Sequence, residues 1–314
     1  MTQKAVTLSA ILFGSIAMLA TGVLFAGPHS PQEQRRSGVI RVQTNLVNIL
    51  VSVIDANGEP VLDLTQDAFQ LSEEGRPQKI DRFEAETNRP IDLALMVDAS
   101  MSTFKDLKFE TEAAAHFIRQ VVRPGDTLGV FGFSDRVSEL AWFSSDVPEL
   151  QAAVRRVAAG NGTSMYDAVV LGSNELKRRP QGRRRAIVLV TDAGETTSYS
   201  KFDDARRAAI SSDTLLYSIV IRPIKSESGR ETAGQHALIT ITDSSGGAVF
   251  ILDALDQMGA MFDRIDRELR TQYLLGYYPD PVPPPGSDRH VQVKVSAGDT
   301  VRYRKEYFTS GVPE

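Results

Sequence analysis

The stretch Ile91-Asp-Leu-Ala-Leu-Met-Val97, followed by Asp98-Ala-Ser100-Met-Ser102, decides the fold. Its first part is almost entirely apolar, and it ends abruptly in an acid and two hydroxyls. A short continuous apolar run is typical of a strand that is buried on both faces of a parallel sheet. Because an open parallel sheet presents its ligand site at the carboxyl ends of its strands, the polar residues after Val97 are candidates for that site.

Two further polar points follow similar signals along the chain. Thr163 lies in the glycine-rich stretch Gly160-Asn-Gly-Thr-Ser164, and Asp192 follows an apolar run over residues 186–191. In a parallel sheet these loops and the first one would converge at one edge. The predicted site residues are Asp98, Ser100, Ser102, Thr163 and Asp192.

These five side chains predict a site for a hard cation. They supply two carboxylates and three hydroxyls, with no histidine or cysteine. Oxygen ligands suit Mg²⁺, in octahedral geometry at about 2.0–2.1 Å with retained waters, while Mn²⁺ and Ca²⁺ are alternatives. A second interpretation is that Asp98 and the serines only cap a helix that begins near Asp106. The two other loops, in the expected order and context, favour the metal site.

The complete pattern resembles the metal-ion-dependent adhesion site of von Willebrand factor type A (VWFA) domains. The matching residues are Asp98-x-Ser100-x-Ser102, Thr163 with Tyr166-Asp-Ala168, and Asp192. The resemblance implies that the three hydroxyl side chains bind the cation directly and that the two aspartates act mainly through water. It also implies that an Asp or Glu carboxylate of a protein partner completes the coordination shell.

Two residues depart from the pattern of many VWFA relatives, which have glycine at the corresponding positions. This chain has Met101 between the serines and Ala193 after the second acid. A side chain at these positions is expected to narrow the approach to the metal or to force a different loop dihedral.

The flanking segments resemble the VWFA-related proteins of Acidobacteria. The matching stretches are residues 51–69 with Glu73-Glu-Gly75, and residues 273–279 with 302–307. With the metal motif included, the resemblance covers about residues 40 to 310.

Composition excludes several other classes of protein. The chain has 314 residues, of which 42% are hydrophobic and 24% charged, as expected for a globular protein. A net charge of −5 provides no general basic footprint, so we expect no nucleic-acid partner. The absence of cysteine excludes disulfides, thiolate catalysis and cysteine-bound zinc. The four histidines show no metal-binding spacing.

The N-terminal residues 1–26 predict a signal peptide or a membrane anchor. Residues 5–26 carry no charge and follow Lys4. About 20 apolar residues can span a bilayer, and Leu24-Phe-Ala26 matches a small-x-small cleavage site poorly, which favours an anchor with Lys4 inside. Cleavage near Ala20 and Gly22 is the alternative and would give a secreted protein. After a polar linker at 27–38, the rest of the chain is expected to be exported across the cytoplasmic membrane and, if anchored, to face the periplasm.

Residues 39–88 and 271–314 both show strand periodicity. The first segment alternates with period two around a turn at Asp55-Ala-Asn-Gly58, and the second predicts strands at 271–278, 290–295 and 301–308. The first segment alone is too short for an independent core. We therefore expect the two segments to form one small antiparallel β domain.

Residues 89–270 alternate between strands and helices. This predicts an α/β fold, a doubly wound, mostly parallel sheet covered on both faces, as in VWFA and Rossmann-like domains. The predicted strands are 91–97, 127–133, 137–142 at an edge, 186–191, 214–221 and 248–252, and helices are predicted at 147–158, 165–178, 202–212 and 235–243. Two further helices have apolar stripes predicted to be core, Phe109, Ala113, Phe117 and Val121 in one and Leu255, Met258, Phe262, Ile265 and Leu269 in the other.

Three other features are weaker candidates for function. The basic run at 177–185 predicts a solvated helix end rather than a site for an anionic partner or a lipid surface. Glu195 is expected to be exposed to solvent rather than to assist the metal through water. The polar stretch 222–235 is either a partner-selecting loop on the same rim as the metal or a tolerated insertion.

Two classes of function remain. A metal-dependent hydrolase needs a base or a nucleophile beside the cation, and none stands out in the sequence. A phosphotransferase with Asp98 as its nucleophile would have a second acid two positions later, where this chain has Ser100. We therefore expect no enzyme activity, but an exported or membrane-anchored module for adhesion or scaffolding that binds protein through its metal. A metal-free interaction scaffold is the alternative, with a Mg²⁺-dependent hydrolase as a further one.

Overall fold

A computed structural model describes residues 46–85, 89–103, 105–221, 230–296 and 300–309. These residues belong to one compact unit. The predicted signal peptide or anchor, the linker, and positions 222–229 of the predicted partner-selecting loop lie outside them. Within the described part of the chain, no helix is both long enough and apolar enough to cross a membrane.

The described chain alternates strands and helices between two β-rich ends. The strands are β1 (Val47–Ile54), β2 (Phe69–Glu73), β3 (Arg76–Gln78), β4 (Arg82–Glu84), β5 (Ile91–Asp98), β6 (Thr127–Phe133), β7 (Val137–Ser144), β8 (Arg184–Thr191), β9 (Thr214–Ile221), β10 (Ala248–Leu252), β11 (Tyr273–Tyr277), β12 (Asp288–Val295), β13 (Thr300–Tyr303) and β14 (Glu306–Phe308). The helices are α1 (Leu107–Val121), α2 (Val147–Val154), α3 (Met165–Lys177), α4 (Phe202–Ser211), α5 (Arg230–Ser245) and α6 (Met258–Arg270).

The central sheet has six strands in the order β10-β9-β8-β5-β6-β7. Its neighbours are parallel except for the edge strand β7, which pairs antiparallel with β6. The predicted doubly wound α/β fold is confirmed. Because the connections from β5 lead to β6 on one side and eventually to β8 on the other, the carboxyl end of β5 is a topological switch point.

Strand β5 is buried along its whole length. Leu95 and Val97 belong to the core formed with α1, α2 and α6, whereas Ala94 and Met96 belong to the core formed with α3, α4 and α5. Polar chemistry is therefore confined to the ends of this strand.

The two terminal β segments form a sandwich of two four-stranded sheets, with strand orders β13-β1-β11-β4 and β14-β12-β2-β3. In the first sheet β1 lies between β11 and β13, and in the second β2 pairs with β12. Both sheets contribute side chains to one apolar core. The predicted antiparallel β domain built from both segments is therefore confirmed.

The predicted strand at 301–308 is wrong as a single element. It is divided into β13, which pairs with β1, and β14, which pairs with β12 in the other sheet. Between them, the Arg304 side chain donates to the Asn48 carbonyl oxygen and the Lys305 N–H donates to the Ser244 carbonyl oxygen. The chain changes sheet at the point where these two residues contact neighbouring elements.

The predicted apolar stripe of α1 is partly wrong. Phe109 is 46% exposed and Ala113 is only partly buried. The buried face instead carries Leu107, Glu110 and Ala114 before it reaches the predicted Phe117 and Val121. A charged residue thus occupies a core position. In α6 the predicted stripe is buried from Met258 onward.

The basic run at 177–185 is not simply a solvated helix end. The Arg183 guanidinium donates to the buried Asp92 carboxylate over 2.8 Å, and Arg184 is only 4% exposed. Arg185 donates to the carbonyl oxygens of Ser212 and Arg179. The prediction of a solvated helix end is therefore wrong for these three residues, because Arg184 is buried and the side chains of Arg183 and Arg185 bind to other parts of the protein.

Candidate metal centre

Three loops meet at the carboxyl edge of the central sheet. They follow β5, precede α3 and follow β8, and the two strands are parallel neighbours. The Gly160 N–H donates to the Ala99 carbonyl oxygen over 2.8 Å, which links the first loop to the second. The Thr196 N–H donates to the Thr163 carbonyl oxygen over 2.9 Å, which links the second loop to the third. The predicted site residues are thus held in one framework.

The first loop carries Asp98, Ser100 and Ser102. The Asp98 carboxylate is fully buried, and its Oδ1 accepts from the Ser100 N–H over 2.8 Å. The hydroxyl oxygens of Ser100 and Ser102 lie 3.0 Å apart, so these side chains share one side of the loop as predicted. The Thr103 hydroxyl contacts the carbonyl oxygens of Asp98 and Ser100 at 3.2 and 3.0 Å, which holds the turn.

The space at Gly194 locates Thr163 and Asp192 relative to each other. A Cβ atom at Gly194 would lie 3.0 Å from Asp192 Oδ1 and 3.4 Å from Thr163 Oγ1. The carboxylate and the hydroxyl therefore border the same space. The Gly194 N–H also donates to Asp192 Oδ1 over 2.9 Å, which fixes that carboxylate.

The electrostatics of the site favour a cation. Burial, followed by the charge of Asp192, raises the pKa of Asp98 to about 6, although hydrogen bonds from Thr191 and Ser100 act in the opposite direction. Two acids from neighbouring strands thus repel each other at one point. A positive ion between them would offset this repulsion and favour the ionised form of Asp98.

The donor set fits a hard divalent ion. It consists of oxygen atoms only, and two of the hydroxyl-bearing residues, Ser100 and Thr163, are nearly buried. No group of three histidine, cysteine or acidic side chains that could hold a metal occurs in the residues described. A cation at this edge would therefore depend on the hydroxyls as well as on the two aspartates, which is the chemistry expected of Mg²⁺.

Thr191 is a site residue that the sequence analysis missed. Its hydroxyl donates to Asp98 Oδ2 over 2.6 Å and accepts from the Ala193 N–H over 3.0 Å. It thereby connects the two acidic loops. Thr191 was predicted only as the end of an apolar strand, and no local signal indicates a contact with a residue so distant in sequence.

Two further acids organise the third loop. Glu195 Oε2 accepts from the Tyr166 N–H over 3.0 Å and from the Ser198 hydroxyl over 2.8 Å. The residue is partly buried, so the prediction that it is exposed to solvent is wrong. The Asp167 carboxylate accepts from the Tyr199 and Ser200 N–H groups. Burial alone would raise the pKa of Asp167, but hydrogen bonding, chiefly from Ser200, lowers it below its usual range.

The two departures from glycine have different consequences. Ala193 is buried and adopts a left-handed backbone conformation with φ of 62°, so the expected unusual dihedral is present. This conformation is unfavourable for a residue with a Cβ atom. Met101 is 65% exposed, so its side chain is accessible to a partner that approaches the loop.

The family profile of the von Willebrand factor type A domain matches residues 93–195. The chain contains a VWFA domain. All five predicted site residues lie within the matched part. The match ends at Glu195, in the third loop, so it covers the site and the sheet strands that position it.

Several solved structures are similar to this chain. A von Willebrand factor type A protein from Catenulispora acidiphila has a TM-score of 0.50 and 12% identity, with 86% of this chain and 74% of that chain covered. The vWF domain of the type V pili tip protein Mfa5 from Porphyromonas gingivalis has a TM-score of 0.47 and 12% identity, covering 58% and 96%. Proximal thread matrix protein 1 from the mussel byssus, with a zinc-occupied MIDAS motif, has a TM-score of 0.49 and 15% identity, covering 63% and 49%. No curated protein matches the sequence.

Proposed function

We propose that this chain is a protein-binding module for adhesion or scaffolding that works through a divalent cation, most simply Mg²⁺. Ser100, Ser102 and Thr163 would hold the ion directly, while Asp98 and Asp192 would act mainly through water. The observation that carries the proposal is the presence of all five side chains on three hydrogen-bonded loops at the switch point of a VWFA domain. The ion would act as a Lewis acid that attracts a carboxylate of the partner.

The distribution of burial supports a site that opens toward a partner. Asp98 and Ser100 are buried, whereas Met101 and Ser102 in the same loop are exposed. A protein carboxylate would therefore reach the ion from the exposed side. Met101, with its flexible apolar side chain, would contact the residues next to that carboxylate.

The cellular location is proposed from the N-terminal sequence. We propose that residues 1–26 direct export and either anchor the chain in the membrane or are removed. The described part of the chain would then bind its partner outside the cytoplasm. We also propose that the chain belongs with the VWFA-related proteins of Acidobacteria, because its flanking segments carry the stretches quoted above.

An interaction role is better supported than catalysis. Glu195 and Asp167 lie close in sequence to Asp192 and Thr163, but both accept hydrogen bonds from the backbone of the third loop or of α3. Their carboxylates are thus engaged in holding loops. We therefore propose that the chain is not an enzyme.

Cation binding by the purified full chain, measured by isothermal titration with Mg²⁺, tests the proposal. We expect one site in the wild type and none in Asp98→Asn or Thr163→Val. Asp203→Asn is a matched control, because this acid lies on α4 with its side chain 75% exposed. A wild type without a site would refute the metal role, and an unchanged Asp98→Asn variant would refute the assigned residues.

Partner binding needs a second measurement. Proteins captured from membranes by the wild type should be lost after chelation and should also be lost with Thr163→Val in the presence of Mg²⁺. Capture that persists under both conditions would favour a metal-free scaffold.

A further inference from the structure

Glu110 is a buried acid whose carboxylate has no hydrogen-bond partner within the described part of the chain. The residue is 1% exposed, and neither Oε1 nor Oε2 has a hydrogen-bond partner among the residues that the structure describes. It lies in the first turn of α1, on the face that packs into the apolar core. Buried polar groups are normally paired, and an isolated buried charge is strongly unfavourable, so this carboxylate requires an explanation.

Two of the three charges that act on Glu110 belong to the candidate metal centre, and the third is that of Asp106. Burial, and then the negative charges of Asp98, Asp106 and Asp192, raise the pKa of Glu110 to about 8. Asp98 ends β5 and Asp192 follows β8, so the Glu110 carboxyl senses acids from two neighbouring strands. All of these charges are negative, so ionised Glu110 would join Asp98 and Asp192 as a third acid that a cation at the site would stabilise.

The backbone couples Glu110 to the loop that carries the serines. Thr103 contacts the carbonyl oxygens of Asp98 and Ser100 through its hydroxyl, and its own carbonyl oxygen accepts from the Asp106 N–H over 2.9 Å. The Glu110 N–H in turn donates to the Asp106 carbonyl oxygen over 3.0 Å. The first turn of α1 is thus attached to the candidate cation loop.

We propose that Glu110 is a positioning residue of the cation site, whose carboxylate supplies a third negative charge and accepts hydrogen bonds from cation-bound water. The inference rests on the proposed function, because it assigns a further residue to the same site. It explains why an acid occupies a core position of α1. Outer groups that hydrogen-bond to metal ligands change metal affinity about 10- to 100-fold when they are replaced.

The test compares Glu110→Gln with Glu112→Gln in the full chain. Both changes remove one negative charge from α1, but Glu112 lies on the outer face, where it pairs with Arg155 and is 55% exposed. Titration with Mg²⁺ should give a dissociation constant about 10- to 100-fold weaker for Glu110→Gln. The Glu112→Gln variant should bind as the wild type does. Glu110→Asp, which restores the charge, should recover part of the affinity.

Proton release gives a readout that a purely structural role would not change. Titrations in buffers of different ionisation enthalpy, near neutral pH, should show that Mg²⁺ binding releases a proton from the wild type, because bound cation favours the ionised Glu110. The acids whose charges act on the pKa of this carboxyl are Asp98, Asp106 and Asp192. They are unaltered in Glu110→Gln, which should therefore release fewer protons.

The outcomes separate this inference from the proposed function. If the wild type binds no Mg²⁺, the metal role itself fails. If the wild type binds and Glu110→Gln binds equally well with the same proton release, only the role of Glu110 is refuted. Equal weakening by Glu110→Gln and Glu112→Gln would also refute it, because the effect would then be a general one of charge. Thermal unfolding in chelator verifies that each variant is folded, and Glu110→Asp provides the test if the glutamine variant is not.

Discussion

Replacing Glu110 by glutamine is expected to change how the stability of the cation-free protein depends on pH. Folding raises the pKa of this carboxyl from 4.5 to about 8. Between these values the folded chain holds a proton that the unfolded chain has released, so the free energy of unfolding falls as the pH rises. The contribution of protonated Glu110 is thus fully present below its unfolded pKa and is lost as the pH rises through the folded one.

The size of the effect follows from the two pKa values. For one carboxyl whose pKa differs by this much between the unfolded and the folded chain, the free energy of unfolding falls by about 3 to 4 kcal/mol between about pH 5 and pH 8. Glu110→Gln removes this titration, so its stability relative to the wild type should increase by that amount over the same range. Asp98, with a pKa of about 6, titrates in both proteins and largely cancels.

Urea unfolding in chelator, followed by the fluorescence of Trp142 at several pH values, measures the difference. Trp142 is the single tryptophan of the chain, so its signal reports on the VWFA domain alone. Glu112→Gln is the control and should differ from the wild type by a nearly constant amount. If wild type and Glu110→Gln lose stability in parallel from pH 5 to pH 8, the carboxyl is compensated in the folded state, and the argument from its burial is wrong.

Three further predictions concern the surroundings of the site. Ala193→Gly should stabilise the protein by up to about 1 kcal/mol, because φ is positive at this residue and glycine adopts such a conformation without a steric cost. A lower urea midpoint for the variant would contradict this prediction. Arg183→Met should lower the free energy of unfolding, measured in urea, by about 3 kcal/mol, because it leaves the buried Asp92 without its closest guanidinium. An unchanged free energy of unfolding would mean that Arg179 pairs with Asp92 instead. Thr191→Val should weaken Mg²⁺ binding, measured by calorimetry, by about 10-fold or more, because the Asp98 carboxylate loses a hydrogen bond. An unchanged affinity would show that this contact does not position Asp98.

The central sheet could be predicted because each of its parallel strands contains a short apolar run. The predicted bounds of β6, β9 and β10 agree with the structure residue for residue. Such strands are buried on both faces, so burial and sequence pattern carry the same information. The sandwich was predicted less accurately, because the division between β13 and β14 depends on contacts of Arg304 and Lys305 with residues far away in sequence.

The candidate site was predictable to the extent that its residues end strands or lie in glycine-rich loops. The three loops do converge, as the topology required. Thr191 could not be predicted, because its contact with Asp98 crosses between strands that are distant in the sequence. The roles of Asp167 and Glu195 also depend on which backbone N–H groups the folded loop brings to them.

Glu110 shows which sequence signal could have been used. The prediction of the α1 core face counted only apolar residues and therefore chose Phe109 and Ala113. The face that is actually buried has the same helical spacing but includes an acid, and it consists of Leu107, Glu110, Ala114 and Phe117. Helix α1 begins a few residues after the acid that ends β5, so its first turn is the part of this face that lies near the loop. An acid farther along the same face would be surrounded by apolar side chains with no ion to offset its charge. A charged residue at a core-spaced position in the first turn after a candidate cation loop therefore indicates a group that acts on the site.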